Sequence, residues 1–289
     1  MNVVVPATQF AVCGSLKTSV VSVALVRVRV LTQSWFSSWA VRAPPANVNW
    51  MLFCSEGVVA PTGDIVAVPF QVPENAAGIV APLAAGLDLS GVRYYAGAFG
   101  EVAGRPAWVA RTGYTGEDGF EVFCRPADAV HIWDALALAG TPEGLVPAGL
   151  AARDTLRLEA GMPLYGNELG PDLTPFEAGL GRVVKFDKPD DFVGRSALQA
   201  RAAAGPRQEL IGLTLRSRRV ARHGYPVYAD GTEAGAVTSG APSPTLGHPI
   251  AMAYLVAGTD AHDAVLTVGI RGEAVPAELT DLPFYSRSR

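Results

Sequence analysis

The stretch RTGYTGEDGFEVF, from Arg111 to Phe123, combines a glycine-rich turn with strand-forming residues. Gly113 and Gly116 permit positive φ angles, and the acidic residues that follow favour a turn. The aromatic and β-branched residues at its end are typical of a pleated strand. The pattern predicts a β-hairpin that carries two glutamates, Glu117 and Glu121.

Strands and helices are predicted on both sides of this hairpin. Arg93–Phe99 and Ala107–Ala110 have strand-like compositions and lead into it. Arg125–Gly140 predicts a helix, because a proline stands in its first turn, its apolar residues share a face and a glycine ends it. Further helices are predicted within Pro147–Gly166 and over Asp191–Gly205.

The last part of the chain has a different pattern. From Gln208 onward, short strand-like runs alternate with Gly and Pro turns, as in EAGAVTSGAPSPTLG at Glu233–Gly247. This pattern is typical of a small all-β domain, so we predict a domain boundary near Gly205-Pro206.

The composition excludes several classes of function. The 289 residues are 49% hydrophobic and 17% charged, which is enough for two or three compact units and gives no sign of global disorder. A net charge of −4 argues against nucleic-acid binding as the main function. The three cysteines and four histidines have no metal-ligand spacing, so we expect no metal.

The beginning of the chain is unusual in its charge. Residues 1–55 contain no Asp or Glu, and Ser19–Leu31 alternates as a single strand would. The apolar run Val23–Val26 is too short to span a bilayer, so no membrane association is expected. We expect a cytoplasmic location. The alternative is a mitochondrial one, with the acid-poor leader as a transit peptide.

Four motifs occur in a fixed order over most of Val92–Tyr254. They are RTGYTGEDGFE, GLAARDTLRLEAGMPLYGNEL, TPFEAGLGRVVKFDKPDDFVGRSAL and VTSGAPSPTLGHPIAMAYL. Together they resemble the aminomethyltransferase family, the T-protein of the glycine cleavage system. The resemblance implies an α+β, multi-domain, folate-binding cloverleaf with a C-terminal β-barrel-like domain. We predict an atypical segment at 1–48, a folate-binding region at 49–205 and the barrel-like domain at 206–289.

The resemblance also implies a reaction. Members of the family transfer the methylene of an aminomethyl group, carried on the lipoyl arm of the H-protein, to tetrahydrofolate and release ammonia. The expected co-substrate is therefore tetrahydrofolate, and the expected partner is the lipoylated H-protein.

Three residues match folate-binding positions of the family. Glu121 aligns with a glutamate that would accept two parallel N–H donors of the pterin, which are costly to bury unpaired. Tyr114 aligns with a tyrosine expected to pack against the ligand's rings. Arg153 aligns with an arginine expected to contact the ligand's carbonyl or carboxylate oxygens.

Other polar residues in these motifs have structural interpretations. Glu117 and Asp118 are expected to be solvated turn residues. Arg157 and Glu159 are expected to belong to an ion-pair network.

The same reasoning applies to the polar residues of the last two motifs. Asn167 and Glu168 either line the pocket or form a turn. Ser239 and Ser243 are expected to be turn residues, because the sequence places no base to activate a nucleophile.

The first part of the chain departs from the family's pattern. The family has an aspartate next to the reacting folate nitrogens, whereas Leu31–Val48 contains no acid. The family's following strand has only a weak counterpart in NWMLFCSEG at Asn49–Gly57, and a Gln-Gly-Pro segment is missing before Leu87–Tyr95. We predict an incomplete first domain that results from a frameshift or truncation. A diverged first domain is the alternative.

Three functions are compatible with these observations. The first is a glycine-cleavage aminomethyltransferase, and the second is a truncated folate-binding module without turnover. The third is a folate domain related to those of dimethylglycine or sarcosine oxidoreductases, which the absence of a Gly-x-Gly-x-x-Gly fingerprint disfavours. A related folate-dependent iron–sulfur assembly factor is set aside, because its Lys-Gly-Cys-type motif is missing.

Overall fold

The computed structural model describes residues 49–52, 66–71 and 76–287, which form two compact units. The first unit comprises the described residues up to Leu156 together with Arg287, and the second runs from Arg157 to Ser286. The predicted strand at Ser19–Leu31 lies outside the described residues. The domain ranges proposed from the sequence stay predictions.

A mixed sheet of seven described strands forms the centre of the first unit. The strands are β1 (Asn49–Leu52), β2 (Val66–Gln71), β3 (Ala84–Ala85), β4 (Gly97–Val102), β5 (Arg105–Ala110), β6 (Gly119–Cys124) and β7 (Leu145–Ala148). Their order across the sheet is β3-β4-β5-β6-β2-β1-β7. β1 and β7 are parallel, and the other neighbouring strands are antiparallel.

Four α-helices are described, and the sequence predicted the last three of them. They are α1 (Ala76–Val80), α2 (Pro126–Gly140), α3 (Leu150–Glu159) and α4 (Arg195–Ala204). The predicted helices at α2, α3 and α4 are confirmed. The boundary between the two compact units falls inside α3.

Successive side chains of a strand point to opposite faces of the sheet. One face of this sheet is apolar and packs against helices. Val109 of β5 and Val122 of β6 are paired and fully buried, in one apolar cluster with residues of α1 and α2. The neighbouring pair, Ala110 and Glu121, therefore projects from the opposite face. This alternation places Glu121 outside the main core of the unit.

The strand predicted at Arg93–Phe99 is wrong over its first half. The N–H of Ala96 donates to the carbonyl of Arg93 at 2.9 Å, and Tyr95 has a φ of 62°. A left-handed residue inside a turn cannot continue a pleated strand, so β4 begins only at Gly97.

The second unit contains a closed β-barrel. Its strands are β8 (Gln208–Leu215), β9 (Pro226–Ala229), β10 (Thr232–Pro242), β11 (Pro249–Val256), β12 (Leu266–Ile270) and β13 (Glu273–Thr280), in the order β10-β11-β8-β13-β12-β9. Closure pairs every strand on both sides, which removes exposed edges. The predicted α+β class with a C-terminal barrel is confirmed.

Three hairpins turn through only two residues. The turns are Ala103-Gly104, Asp230-Gly231 and Arg271-Gly272, and all six residues have positive φ. Such type I′ turns match the right-handed twist of the flanking strands. They fix the register of β4 with β5, β9 with β10, and β12 with β13.

Gly235 tests the register of the barrel. It lies at an irregularity of β10, where an added Cβ would stand 1.9 Å from the carbonyl oxygen of Tyr254 on β11. We expect Gly235→Ala to lower the free energy of unfolding by roughly 1–3 kcal/mol, because the strands must separate to admit the methyl group. Chemical denaturation measures this loss.

Gly170→Ala is the matched control, because a Cβ there meets no atom within 4 Å and its φ is not positive. Equal stability of the two variants would contradict the pairing of β10 with β11.

Candidate functional site

Residues 111–118 form the loop between β5 and β6, and an ion pair closes its base. Arg111 donates from Nε to Oδ1 of Asp118 at 2.8 Å and from Nη2 to Oδ2 at 2.5 Å. This bidentate hydrogen bonding lowers the pKa of Asp118. Arg111 also donates to the carbonyl of Val92 at 3.2 Å. The expectation that Asp118 is merely solvated is therefore wrong.

The turn inside the loop is made by its second glycine. Gly116 has a φ of 81°, and the hydroxyl oxygen of Thr115 accepts the N–H of Glu117 at 3.3 Å. Gly113 does not have a positive φ. The predicted hairpin is present, with β5 and β6 in antiparallel register and this loop between them.

Tyr114 and Arg153, two of the predicted ligand-binding residues, lie against each other. The Cζ atom of Arg153 lies 4.6 Å from the centroid of the Tyr114 ring, within the range of a cation–π interaction. Both side chains are half-buried. The guanidinium therefore packs against the tyrosine ring, and the expected packing of this ring against the ligand stays a prediction.

Glu121, the third predicted ligand-binding residue, belongs to the same group. The hydroxyl of Thr112 donates to Oε2 of Glu121. Burial raises the pKa of Glu121, whereas the Thr112 hydrogen bond and the charge of Arg153 act in the opposite direction. The side chain keeps some solvent-accessible surface while protein atoms surround it, as expected for a group in a recess.

Glu121 and Arg153 have unused hydrogen-bonding capacity. An ionised carboxylate can accept about four hydrogen bonds, and a guanidinium can donate about five. Among the side chains of residues 76–287, Glu121 accepts the single bond from Thr112, and the guanidinium of Arg153 donates none. Both groups can therefore bind a polar ligand without losing an existing bond.

An aromatic row lies on the same face of the sheet as Glu121. Phe99, Trp108 and Phe123 are cross-strand neighbours on β4, β5 and β6. Their ring centroids are 6.0 Å apart for Phe99 and Trp108, and 5.2 Å apart for Trp108 and Phe123. Phe99 is 74% exposed. The row gives the sheet an apolar surface two residues along β6 from Glu121.

Thr112 is the residue that sequence reasoning missed. It is buried, and it continues the alternation of β5 that puts Ala110 on the same face as Glu121. Extending the alternation of β5 two residues beyond Ala110 predicts that Thr112 lies on the same face as Glu121, and this signal could have identified Thr112 as a site residue.

The second unit contains a separate buried network around Arg157. Its Nη1 lies 3.1 Å from Oε2 of Glu168, and its Nη2 donates to the hydroxyl of Ser239 at 2.7 Å. Ser239 donates in turn to Oε1 of Glu168 at 2.6 Å, and the N–H of Leu164 donates to Oε2 at 2.8 Å. Asn167 also donates to the Ser239 hydroxyl, at 3.0 Å. Arg157 thus belongs to a buried ion-pair network, as predicted, and its carboxylate partner is Glu168.

Glu159 is held by the segment that follows β10. Ser243 donates to Oε1 at 2.5 Å, and the hydroxyl of Thr245 donates to Oε2 at 2.8 Å. The N–H of Thr245 also donates to Oε1 at 3.2 Å. Among the described residues, the partners of Glu159 are thus hydroxyl groups and a backbone N–H rather than the predicted ion pair. Ser243 lies in a turn, as predicted, whereas Ser239 lies inside β10, so the turn predicted for Ser239 is wrong.

The described part of the chain has neither a cluster of metal-ligating side chains nor a membrane-spanning helix. No group of three or more His, Cys, Asp or Glu side chains there could hold a metal ion. None of its helices combines the length and the apolar character that crossing a membrane requires. Burial raises the pKa of the Cys124 thiol to about 11, which keeps it protonated near neutral pH.

Two family models cover most of the chain. The GCVT N-terminal domain matches residues 57–188, and the glycine cleavage T-protein C-terminal barrel domain matches residues 208–286. This chain belongs to the glycine cleavage T-protein family. The second match corresponds closely to the closed barrel of β8 to β13.

Curated relatives of the T-protein family agree with this assignment. The aminomethyltransferase of Saccharopolyspora erythraea is 58% identical over 226 residues, which are 78% of this chain and 61% of the relative. The aminomethyltransferase of Streptomyces avermitilis is 61% identical over 209 residues, which are 70% of this chain and 55% of the relative. The chain thus spans about three fifths or less of the length of these two relatives.

A solved T-protein structure also resembles the fold. The crystal structure of glycine cleavage system aminomethyltransferase T from Bartonella henselae matches with a TM-score of 0.69 and 31% identity. The match covers 76% of this chain and 60% of that chain.

The buried pair Arg157–Glu168 allows a test of its structural role. The two side chains are 1% and 0% exposed. We expect Glu168→Gln to lower the free energy of unfolding by roughly 3 kcal/mol or more, because it replaces the carboxylate that pairs with the buried Arg157 guanidinium by a neutral amide. Thermal and chemical denaturation measure the loss.

Glu278→Gln is the control, because it breaks a pair with Arg216 in which both side chains are at least half exposed. We expect a loss of less than about 1 kcal/mol there. A stable Glu168→Gln protein that binds folate poorly would instead assign Glu168 to the ligand site.

Proposed function

We propose that this chain acts as an aminomethyltransferase of the glycine cleavage system. In this proposal it transfers the methylene of an aminomethyl group, carried on the lipoyl arm of the H-protein, to tetrahydrofolate with release of ammonia. The proposal also covers its part in glycine catabolism and one-carbon metabolism, and a cytoplasmic location. Membership of the T-protein family supports it, together with the names of the two curated relatives.

One observation carries the folate part of the proposal. Glu121 and Arg153 have unused hydrogen-bonding capacity among the described residues, and both belong to the group that includes Tyr114 and Thr112. By contrast, the carboxylates of Glu159 and Glu168 are engaged by several donors each. A half-buried carboxylate with free acceptor sites is suited to a ligand that presents N–H donors.

The chemistry of a reduced pterin fits these side chains. Its amino group and adjacent ring N–H are parallel donors, which an ionised carboxylate can accept together. Burial raises the pKa of Glu121, and the Thr112 hydrogen bond and the charge of Arg153 oppose that rise by stabilising the ionised form. In the proposed complex, Arg153 binds a carbonyl or carboxylate oxygen of the ligand, and Tyr114 packs beside the rings. When bound, tetrahydrofolate supplies the nitrogen atoms that accept the methylene group.

A folate-binding module without turnover is the second candidate function. The observation that favours it is the absence of any Asp or Glu before Glu56. A carboxylate beside the reacting nitrogen would stabilise the positive charge that develops there. In this second candidate function, folate binding requires only Tyr114, Glu121 and Arg153. The lipoylated H-protein is a partner only in the first candidate function, the aminomethyltransferase.

Binding is tested with a pair of matched variants. We expect Glu121→Gln to weaken tetrahydrofolate binding at least about tenfold, because the amide offers one acceptor oxygen and adds unwanted donors. Glu101→Gln is the control, since Glu101 is an exposed glutamate of β4 on the same face of the sheet. Calorimetry measures both dissociation constants. Unchanged affinity of the Glu121→Gln protein would remove Glu121 from the site.

Turnover separates the two candidate functions. We expect this chain to release ammonia from aminomethyl-loaded H-protein about 10²- to 10³-fold more slowly than a chimera whose first domain comes from the Saccharopolyspora erythraea relative. The matched control is the same chimera with asparagine in place of the restored aspartate, which should be as slow as this chain. Equal rates for this chain and the chimera would show that the aspartate is dispensable.

A further inference from the structure

Thr112 is a buried hydroxyl residue at the start of the 111–118 loop. Its side chain is 6% exposed, and its hydroxyl donates to Oε2 of Glu121. The residue before it, Arg111, is fixed by the bidentate pair with Asp118. The ion pair of Arg111 therefore restrains the backbone next to Thr112, from which the hydroxyl reaches Glu121.

The orientation of Glu121 depends on such a contact. A glutamate on a strand has three rotatable side-chain bonds, and pairing of the backbone does not fix them. The charge of Arg153 stabilises the ionised carboxylate of Glu121, but among the described residues no hydrogen bond joins these two side chains. The hydrogen bond from Thr112 is thus the directional contact that the described side chains supply.

We propose that Thr112 is a positioning residue that holds the Glu121 carboxylate for ligand binding. The proposal rests on the folate-binding function proposed above. Thr112 commits one lone pair of Oε2 to the protein, which leaves Oε1 and the remaining lone pair of Oε2 to accept two donors from the ligand. The same hydrogen bond stabilises the ionised carboxylate, because a charged acceptor binds the hydroxyl proton more strongly than a neutral carboxyl does.

The first test needs no ligand. The pKa of Glu121 is followed by ¹³C NMR of the side-chain carboxyl, assigned by comparison with Glu121→Gln. We expect Thr112→Val, which keeps the shape of threonine, to raise this pKa by about one unit or more, because a hydrogen bond to a charged acceptor is lost. Thr112→Ser should keep the wild-type value. An unchanged pKa in the Thr112→Val protein would overturn the proposal.

The second test is a double-mutant cycle with tetrahydrofolate, measured by calorimetry. We expect Thr112→Val to weaken binding about tenfold in the wild-type background and by less than about twofold in the Glu121→Gln background. Thr112→Ser should bind as the wild type does. Equal losses in the two backgrounds would assign Thr112 a general structural role and contradict the proposal.

The two tests separate this proposal from the proposed function. If the wild-type chain does not bind tetrahydrofolate, the proposed function fails, and with it the ligand-directed role of Thr112. The NMR titration still decides whether Thr112 controls the ionisation of Glu121. A raised pKa with unchanged folate affinity would also overturn the positioning role. Circular dichroism of each variant checks that the fold is retained.

Discussion

The ion pair between Arg111 and Asp118 is the constraint on which the candidate site depends. Thr112 and Tyr114 lie inside the loop that this pair closes, and Glu121 follows on β6. The two paired side chains are 29% and 24% exposed, so the pair contributes only about 1 kcal/mol or less to stability. Its importance lies in geometry, because a bidentate contact sets both the distance and the orientation of the loop ends.

Glu121 and Glu168 show how local surroundings give the same side chain different roles. Glu168 is completely buried and receives donors from Arg157, Ser239 and the N–H of Leu164. Its acceptor sites are engaged, so it stabilises the fold of the second unit and has little to offer a ligand. Glu121 receives one donor among the described residues and stays partly accessible, which is the arrangement expected of a binding group.

The sequence predicts the local elements well because their signals are local. The helix Pro126–Gly140 has a proline at its start and a glycine at its end, and the barrel strands are separated by Gly and Pro turns. The sequence does not predict the turn at Arg93–Ala96, because its residues have strand-like composition and a tyrosine rarely adopts the positive φ that Tyr95 has.

The polar contacts of the two units were harder to predict. Ser239 donates to Glu168 from 71 residues away, and no periodicity connects the two positions. Thr112 and Glu121 are closer in sequence, and the alternation of β5 and β6 was sufficient to relate them once the register was known. The three residues expected at the ligand do lie together, but their role in binding folate stays a prediction.

The most direct test of this account is a crystal structure of the chain in complex with tetrahydrofolate. We expect the pterin N–H donors to lie about 3 Å from Glu121, with the Thr112 hydroxyl still bound to Oε2 and Arg153 on a ligand oxygen. A complex in which the ligand lies away from the 111–118 loop, or in which Glu121 turns away from the pterin, would contradict the account.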